Sequence, residues 1–334
     1  MKTFLLFCGL VIGVNAYAAE PGYHVIKKLP LGGEGGWDYL TVDNTARRLY
    51  VSRGTHVMVV DLETDKLAGD IPNTPGVHGI AIADELNRGF ISNGRANTAS
   101  IFDLKTLKVI GQVKTGTNPD CILFDPATKK VFTFNGRSND ATAFDAVSGE
   151  VVKTIPLGGK PEFARTDGKG KIYVNVEDTS EVVEIDSLNL AVTKRFSLKP
   201  GEGPSGMGFD AEHHHVFSGC GNKMMTVLDT ESGKIIATVP IGKGVDGNGF
   251  DPETGFAFSA NGGDGTLTVV RETSPGNFEA AETVTTQTGA RTMTIDPKTH
   301  NIYLPTAQFA PAPEGTRQRP TPIKDSFVIL VVGK

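Results

Sequence analysis

The sequence predicts an all-β protein, a seven-bladed β-propeller with four antiparallel strands per blade, and three observations carry that prediction. An aspartate closes a short apolar segment seven times along the chain. Each such segment is followed by further apolar segments split by polar turns, and helical periodicity is nowhere sustained. The first apolar segment after the N-terminal leader reads as a fourth strand, whereas the seventh copy stops at its third. A period of about 40 residues holding four strands is the spacing of a propeller blade.

The first strands run from Leu40 to Asp43, Ile80 to Asp84, Ile122 to Asp125, Phe163 to Asp167, Met207 to Asp210, Asn248 to Asp251 and Met293 to Asp296, with the closing aspartates 41, 41, 42, 43, 41 and 45 residues apart. Second strands follow a polar turn, as in Leu49-Tyr-Val-Ser52, Val131-Phe-Thr-Phe134 and Ile172-Tyr-Val-Asn175. Third strands end near Asp61, Asp103, Asp145, Asp186 and Asp229, and Arg271 breaks the pattern in the sixth copy. Fourth strands follow, such as Lys108 to Val113, Glu150 to Ile155 and Lys234 to Val239. Short runs rich in Val, Ile, Phe and Thr between Asp, Asn, Gly and Pro turns read as antiparallel meanders. The blades therefore fall at about 31–73, 74–114, 115–157, 158–198, 199–240, 241–285 and 286–334. The segment His24 to Leu31 matches the fourth strand Val151 to Leu157, so it is expected to complete the last blade, whose third strand is Phe327 to Val332. Closure of this kind leaves no open sheet edge between first and last blades.

Composition sets the class. With 334 residues, 39% hydrophobic and 21% charged, the chain can bury a large core and is far from the disordered classes. Lys2, the apolar run Phe4 to Val14 and Ala16-Tyr-Ala-Ala19 form the layout of a secretory signal, so residues 1–19 are expected to be removed and 20–334 to form one periplasmic or secreted domain. Cys8 lies inside the apolar run behind Phe7, which argues against lipid attachment. No other segment approaches the roughly 20 apolar residues of a membrane span. The formal charge of −5 becomes −6 without Lys2, and no basic block occurs. Together with 7% aromatic residues this speaks against nucleic-acid binding. Cys121 and Cys220 belong to non-adjacent repeats, too far apart for the roughly 7 Å limit on bridged Cα atoms, and are expected as buried thiols.

The repeated Leu49-Tyr-Val-Ser52 or Ile172-Tyr-Val-Asn175, the Val60-Asp61 strand end and Ile155-Pro-Leu-Gly-Gly-Lys-Pro161 resemble the YVTN-repeat propellers, the YncE-like family of periplasmic propeller proteins. The resemblance covers the whole mature chain. It implies the seven-bladed fold and leaves function open, because such propellers include binding proteins, subunits of redox complexes and a few enzymes.

Ligands of propellers usually meet the face where first strands begin and where second strands turn into third. Five residues before each repeat aspartate stand Asp38, Gly79, Asp120, Glu162, Ser205, Asp246 and Arg291, with Trp37 and His78 just ahead of two of them. Converging carboxylates repel and need cations, protons or a metal. Asp38, Asp120, Glu162 and Asp246 are therefore candidate ligands of a divalent cation, calcium or magnesium, or else they hold blades together beside a water-filled channel. On the same face lie Arg53, Arg95 in Asn93-Gly-Arg95 and Arg137 in Asn135-Gly-Arg137. They suit a carboxylate or phosphate ligand, or they pair internally with Asp38 and Asp120. The insertion from Pro305 to Asp325, carrying Arg317 and Arg319, reads as an irregular loop, either a lid over the mouth or a solvated excursion. His213-His-His215 sits in a turn on the far face and is not expected to be a functional metal site.

No haem attachment motif, nucleophile elbow, phosphate-binding loop or His-Glu-x-x-His helix occurs. The leading expectation is a monomeric, non-catalytic binding or scaffold propeller holding a small anionic ligand or a periplasmic protein partner through Trp37, Arg53, His78, Arg95, Arg137, Arg291 and Arg317. One alternative is a metal-dependent hydrolase, lyase or isomerase with the acidic ring as metal site and His78 as general base. Another is a subunit of a periplasmic redox complex without a cofactor of its own.

Overall fold

The computed structural model describes residues 22–311 and 321–334. The expected leader at 1–19 and both insertion arginines, Arg317 and Arg319, lie outside them. Seven four-stranded antiparallel sheets follow one another along the chain, over residues 40–71, 77–114, 119–156, 161–197, 204–240, 245–285 and 294–333, here blades 1 to 7. The strand His24–Pro30 pairs antiparallel with Val328–Gly333 and supplies the fourth strand of blade 7. Each first strand packs on the first strands of both neighbouring blades, and that of blade 1 also meets that of blade 7, so the seven form a closed ring about the axis. The protein is a seven-bladed β-propeller.

The repeat aspartate has a physical reason. Its carboxylate closes the turn after the first strand, as Asp43 Oδ1 does by accepting from Ala46 N–H (2.8 Å). In three of the repeats the aspartate also takes a donor from the next blade. Asp125 accepts from Thr166 and Ser187 of blade 4, Asp251 from His300 of blade 7, and Asp296 from both terminal nitrogens of Arg47 in blade 1 at 2.7 Å. The third-strand aspartates are turn residues: Asp61, Asp103, Asp145, Asp186 and Asp229 each accept N–H groups two and three residues on. Arg271 lacks such an acceptor, and there the strands run on as Thr266–Ser274 and Asn277–Thr285, with Arg271 paired to Glu279 (2.8 Å).

One repeat is offset. In blade 2 the strand position held elsewhere by the aspartate belongs to Ala83, which pairs with Arg88 as Asp43 pairs with Arg48 and Asp125 with Lys130. Asp84 instead begins the short 3-10 turn Asp84–Leu86.

Between blades the core is apolar and tightly layered, as where Phe90 meets Phe124 and Phe144, and Phe217 stacks on Phe250 at 5.3 Å. Cys121 and Cys220 are buried free thiols. Among the described residues no helix is long and apolar enough to cross a membrane.

Candidate ligand site at the channel mouth

The one-residue offset in blade 2 changes who stands in the ring. Val77 pairs with Asn93 as Pro119 pairs with Asn135, so His78, rather than Gly79, is the counterpart of Asp120. The ring is Asp38, His78, Asp120, Glu162, Ser205, Asp246 and Arg291, and most of its members touch. His78 Nδ1 lies 2.6 Å from Asp38 Oδ2 and 3.6 Å from Asp120 Oδ1. Arg291 donates from Nε to Asp246 (2.7 Å) and from a terminal nitrogen to the Trp37 carbonyl (3.0 Å), with Asp38 at 3.5 Å. Ser205 donates to Asp246 (2.7 Å), and Glu162 is met by Lys160 (2.6 Å), which also pairs with Glu177.

Burial governs the protonation of this ring. It pushes Asp120 up to about 7, with the charge of Asp38 adding to the rise and His78 opposing it. Burial and the charge of Asp120 push Glu162 up to about 8 against the pull of Lys160. Asp246 is raised by burial and by Asp38, against Arg291. Burial alone would lower His78, but its bond to Asp38 and the charges of Asp120 and Glu162 outweigh that and carry it up to about 9. At neutral pH the mouth therefore holds protons as well as carboxylates, and its negative field is weaker than its residue types suggest.

The four carboxylates expected to share a calcium or magnesium ion act on one another at the mouth but do not form a single ligand set. Among the described residues the one group of three or more ligating side chains within reach of a common ion is Asp38, His78 and Asp120, whose donor atoms lie within 4.8 Å of one another. Glu162 and Asp246 are engaged by Lys160 and by Arg291 with Ser205. Asp38 and Asp120 are met by His78 and Arg291, so the internal pairing weighed for the rim arginines falls to other partners.

The rim divides the three arginines. Asn93 and Asn135 are buried and pin their turns from inside, donating to Thr98 and Ser100 and to Asp140 and Thr142. Gly94 follows because a Cβ there would stand 2.7 Å from His78 Nε2. The third residue then points outward. Arg95 and Arg137 are exposed, and among the described residues neither side chain makes a hydrogen bond or ion pair. Arg53 is different, because it follows Ser52 directly and takes the buried place of Asn93. Its guanidinium donates to the carbonyls of Gly32, Glu34 and Gly35 and lies 3.7 Å over the Phe327 ring, and burial lowers it to about 10. It staples the strand closing blade 7 to blade 1 and presents no donor to a ligand. Trp37 is likewise core, packed on Phe309 and Phe327.

The insertion expected as an irregular loop has a paired base. Ala310 N–H bonds the Thr321 carbonyl (2.9 Å), Ile323 N–H bonds the Gln308 carbonyl (2.7 Å), and Phe309 anchors this stem on Trp37. On the far face, His213 is held by Asp210 (2.8 Å) and His214 faces Glu231 (3.5 Å).

Sequence reasoning passed over the floor of the mouth. One residue inside the ring, most blades carry small residues, namely Gly79, Cys121, Gly206, Gly247 and Thr292, because the next first strand lies close. Blades 1 and 4 carry Tyr39 and Phe163, and these rings meet edge-to-face at 5.0 Å. Burial pushes Tyr39 well up, and Asp120, Asp246, Asp38 and Glu162 add to it. Beyond the pair lies a cavity of about 420 Å³ lined by first strands, into whose wall Arg165 is set, its guanidinium 4.5 Å over Phe163. The signal was legible: two aromatic residues at a position that is otherwise small.

No protein-family model matches this chain, and no curated protein matches it. The likeness to YVTN-repeat propellers rests on the repeat residues, and the seven-bladed architecture rests on the structure.

Proposed function

We propose that this protein is an exported, non-catalytic binding propeller that holds a small anionic ligand, a carboxylate or phosphate compound, on the rim of its channel mouth. The observation that carries this reading is the state of Arg95 and Arg137. They sit on equivalent turns of adjacent blades, exposed and without partners among the described residues, beside a ring in which Arg291, Lys160 and His78 each face a carboxylate. Guanidinium groups held apart from acids on a rigid rim are poised for planar, bidentate contact with an anion. The partly protonated ring lowers the repulsion that such a ligand would meet.

Titration calorimetry with citrate and with inorganic phosphate tests this. The wild-type protein is expected to bind at least one of them, and Arg95→Ala and Arg137→Ala each to weaken that binding about tenfold or more, the value of a charge-assisted hydrogen bond. Absence of binding to either compound, or unchanged affinity in both variants, contradicts the reading.

A further inference from the structure

We propose that Asp38 Oδ2, His78 Nδ1 and Asp120 Oδ1 form a binding site for a divalent cation of the zinc class. The site goes beyond anion binding on the rim and stands independently of it. Two carboxylate oxygens and one imidazole nitrogen, all within 4.8 Å of one another, approach the spacing of about 3.4 Å between donors on one tetrahedral ion. His78 is 2.6 Å from Asp38 and 3.6 Å from Asp120, so closing on an ion changes each of these two separations by less than about an ångström. Asp120 Oδ1 is buried and accepts no hydrogen bond, its nearest charged neighbour being His78 Nδ1 at 3.6 Å, so its lone pairs are free for an ion that would take the place of the imidazole proton.

The surroundings hold the donors in place. Arg291 approaches the other oxygen of Asp38 at 3.5 Å and is itself fixed by Asp246 and the Trp37 carbonyl. Asp38 is thereby oriented with Oδ2 toward His78. Gly94 lies against the other edge of the imidazole, where a Cβ would come within 2.7 Å of Nε2. The donor set also selects the ion. Calcium takes six to eight oxygens and magnesium a near-octahedral oxygen shell, whereas an imidazole with two carboxylates suits zinc and its neighbours in the first transition row. Three protein donors leave a fourth tetrahedral position for water or for a ligand.

The test uses full-length mature protein without a histidine tag, stripped with a chelator, dialysed against Zn(II) alone and analysed for bound metal and by calorimetry. The background carries His213→Ala, His214→Ala and His215→Ala, which removes the surface triplet. One zinc per chain is expected in that background, with His78→Ala and the near-isosteric Asp120→Asn each weakening it about a hundredfold or more. Near-UV circular dichroism checks that both variants keep the native fold. Calcium and magnesium in excess are expected to leave the zinc in place. Zinc lost with the triplet, zinc retained by folded His78→Ala and Asp120→Asn, or displacement by calcium or magnesium each overturns the proposal.

Discussion

At the scale of single residues, the repeat aspartate links sequence to fold, and Asp296 is its most demanding instance. It is fully buried, and its two oxygens take both terminal nitrogens of Arg47 across the junction of blades 7 and 1. Burial alone would raise its pKa, but Arg47, Thr299 and the Lys298 N–H outweigh that and hold it below its ordinary 3.8. A carboxyl whose folded pKa is depressed stabilises the protein above the ordinary value and loses that contribution as pH falls through the folded one. Asp296→Asn is expected to cost about 3 kcal/mol in urea unfolding at pH 7, because it removes the buried charge partner of Arg47 and leaves it only the exposed Glu63. The gap between wild type and variant should stay constant above about pH 5 and narrow below the ordinary carboxylate range. A gap that is negligible at pH 7, or that widens in acid, contradicts this role. The aspartate was plain in the sequence, but its blade-to-blade partner was not, because the donor differs each time: Thr166 and Ser187, His300, or Arg47. Arg53 shows the opposite limit. Its place after Ser52 matched the buried asparagine of the neighbouring repeats, and only the register of strand pairing shows that one step along the turn separates an exposed arginine from a structural one.

At the scale of elements, the first strands decide how closely blades approach. Gly206 and Gly208 of blade 5 face the backbone of blade 6, where a Cβ on Gly206 would lie 2.4 Å from Asn248 N and one on Gly208 2.9 Å from the Gly249 carbonyl. Backbone cannot yield as a side-chain tip can, so the strands must separate. Gly206→Ala is expected to destabilise the protein by about 2 kcal/mol, read as a lower urea midpoint with unchanged slope. A variant as stable as wild type would show that the inner strands slide freely. Strand order and the four-strand period were readable because turn chemistry and alternation are local. The 3-10 turn at Asp84 was not, since Asp84 imitates the repeat aspartate one position late. That single slip moved Gly79 into the ring and left His78 beside it.

At the scale of the whole molecule, ring closure gathers groups that are far apart in the chain. Asp38 and Arg291 are neighbours, and Tyr39 meets Phe163 over the axis. The acidic character of the mouth followed from the repeat alignment. Arg291 was in that alignment, but how the charges pair was not, because Lys160 lies outside the aligned position and Arg291 reaches across two carboxylates. On the rim, Arg95 and Arg137 are unpaired among the described residues, so the mouth face carries two exposed guanidinium groups while the opposite face is tied by the blade-to-blade contacts of Asp125, Asp251 and Asp296. The most direct measurement is an NMR titration of arginine Nε–H resonances with citrate. The account predicts that the Arg95 and Arg137 signals shift saturably and together, and that both responses vanish in Arg95→Ala/Arg137→Ala. Stationary signals from these two arginines while Arg165 or Arg291 moves would place the ligand elsewhere and contradict it.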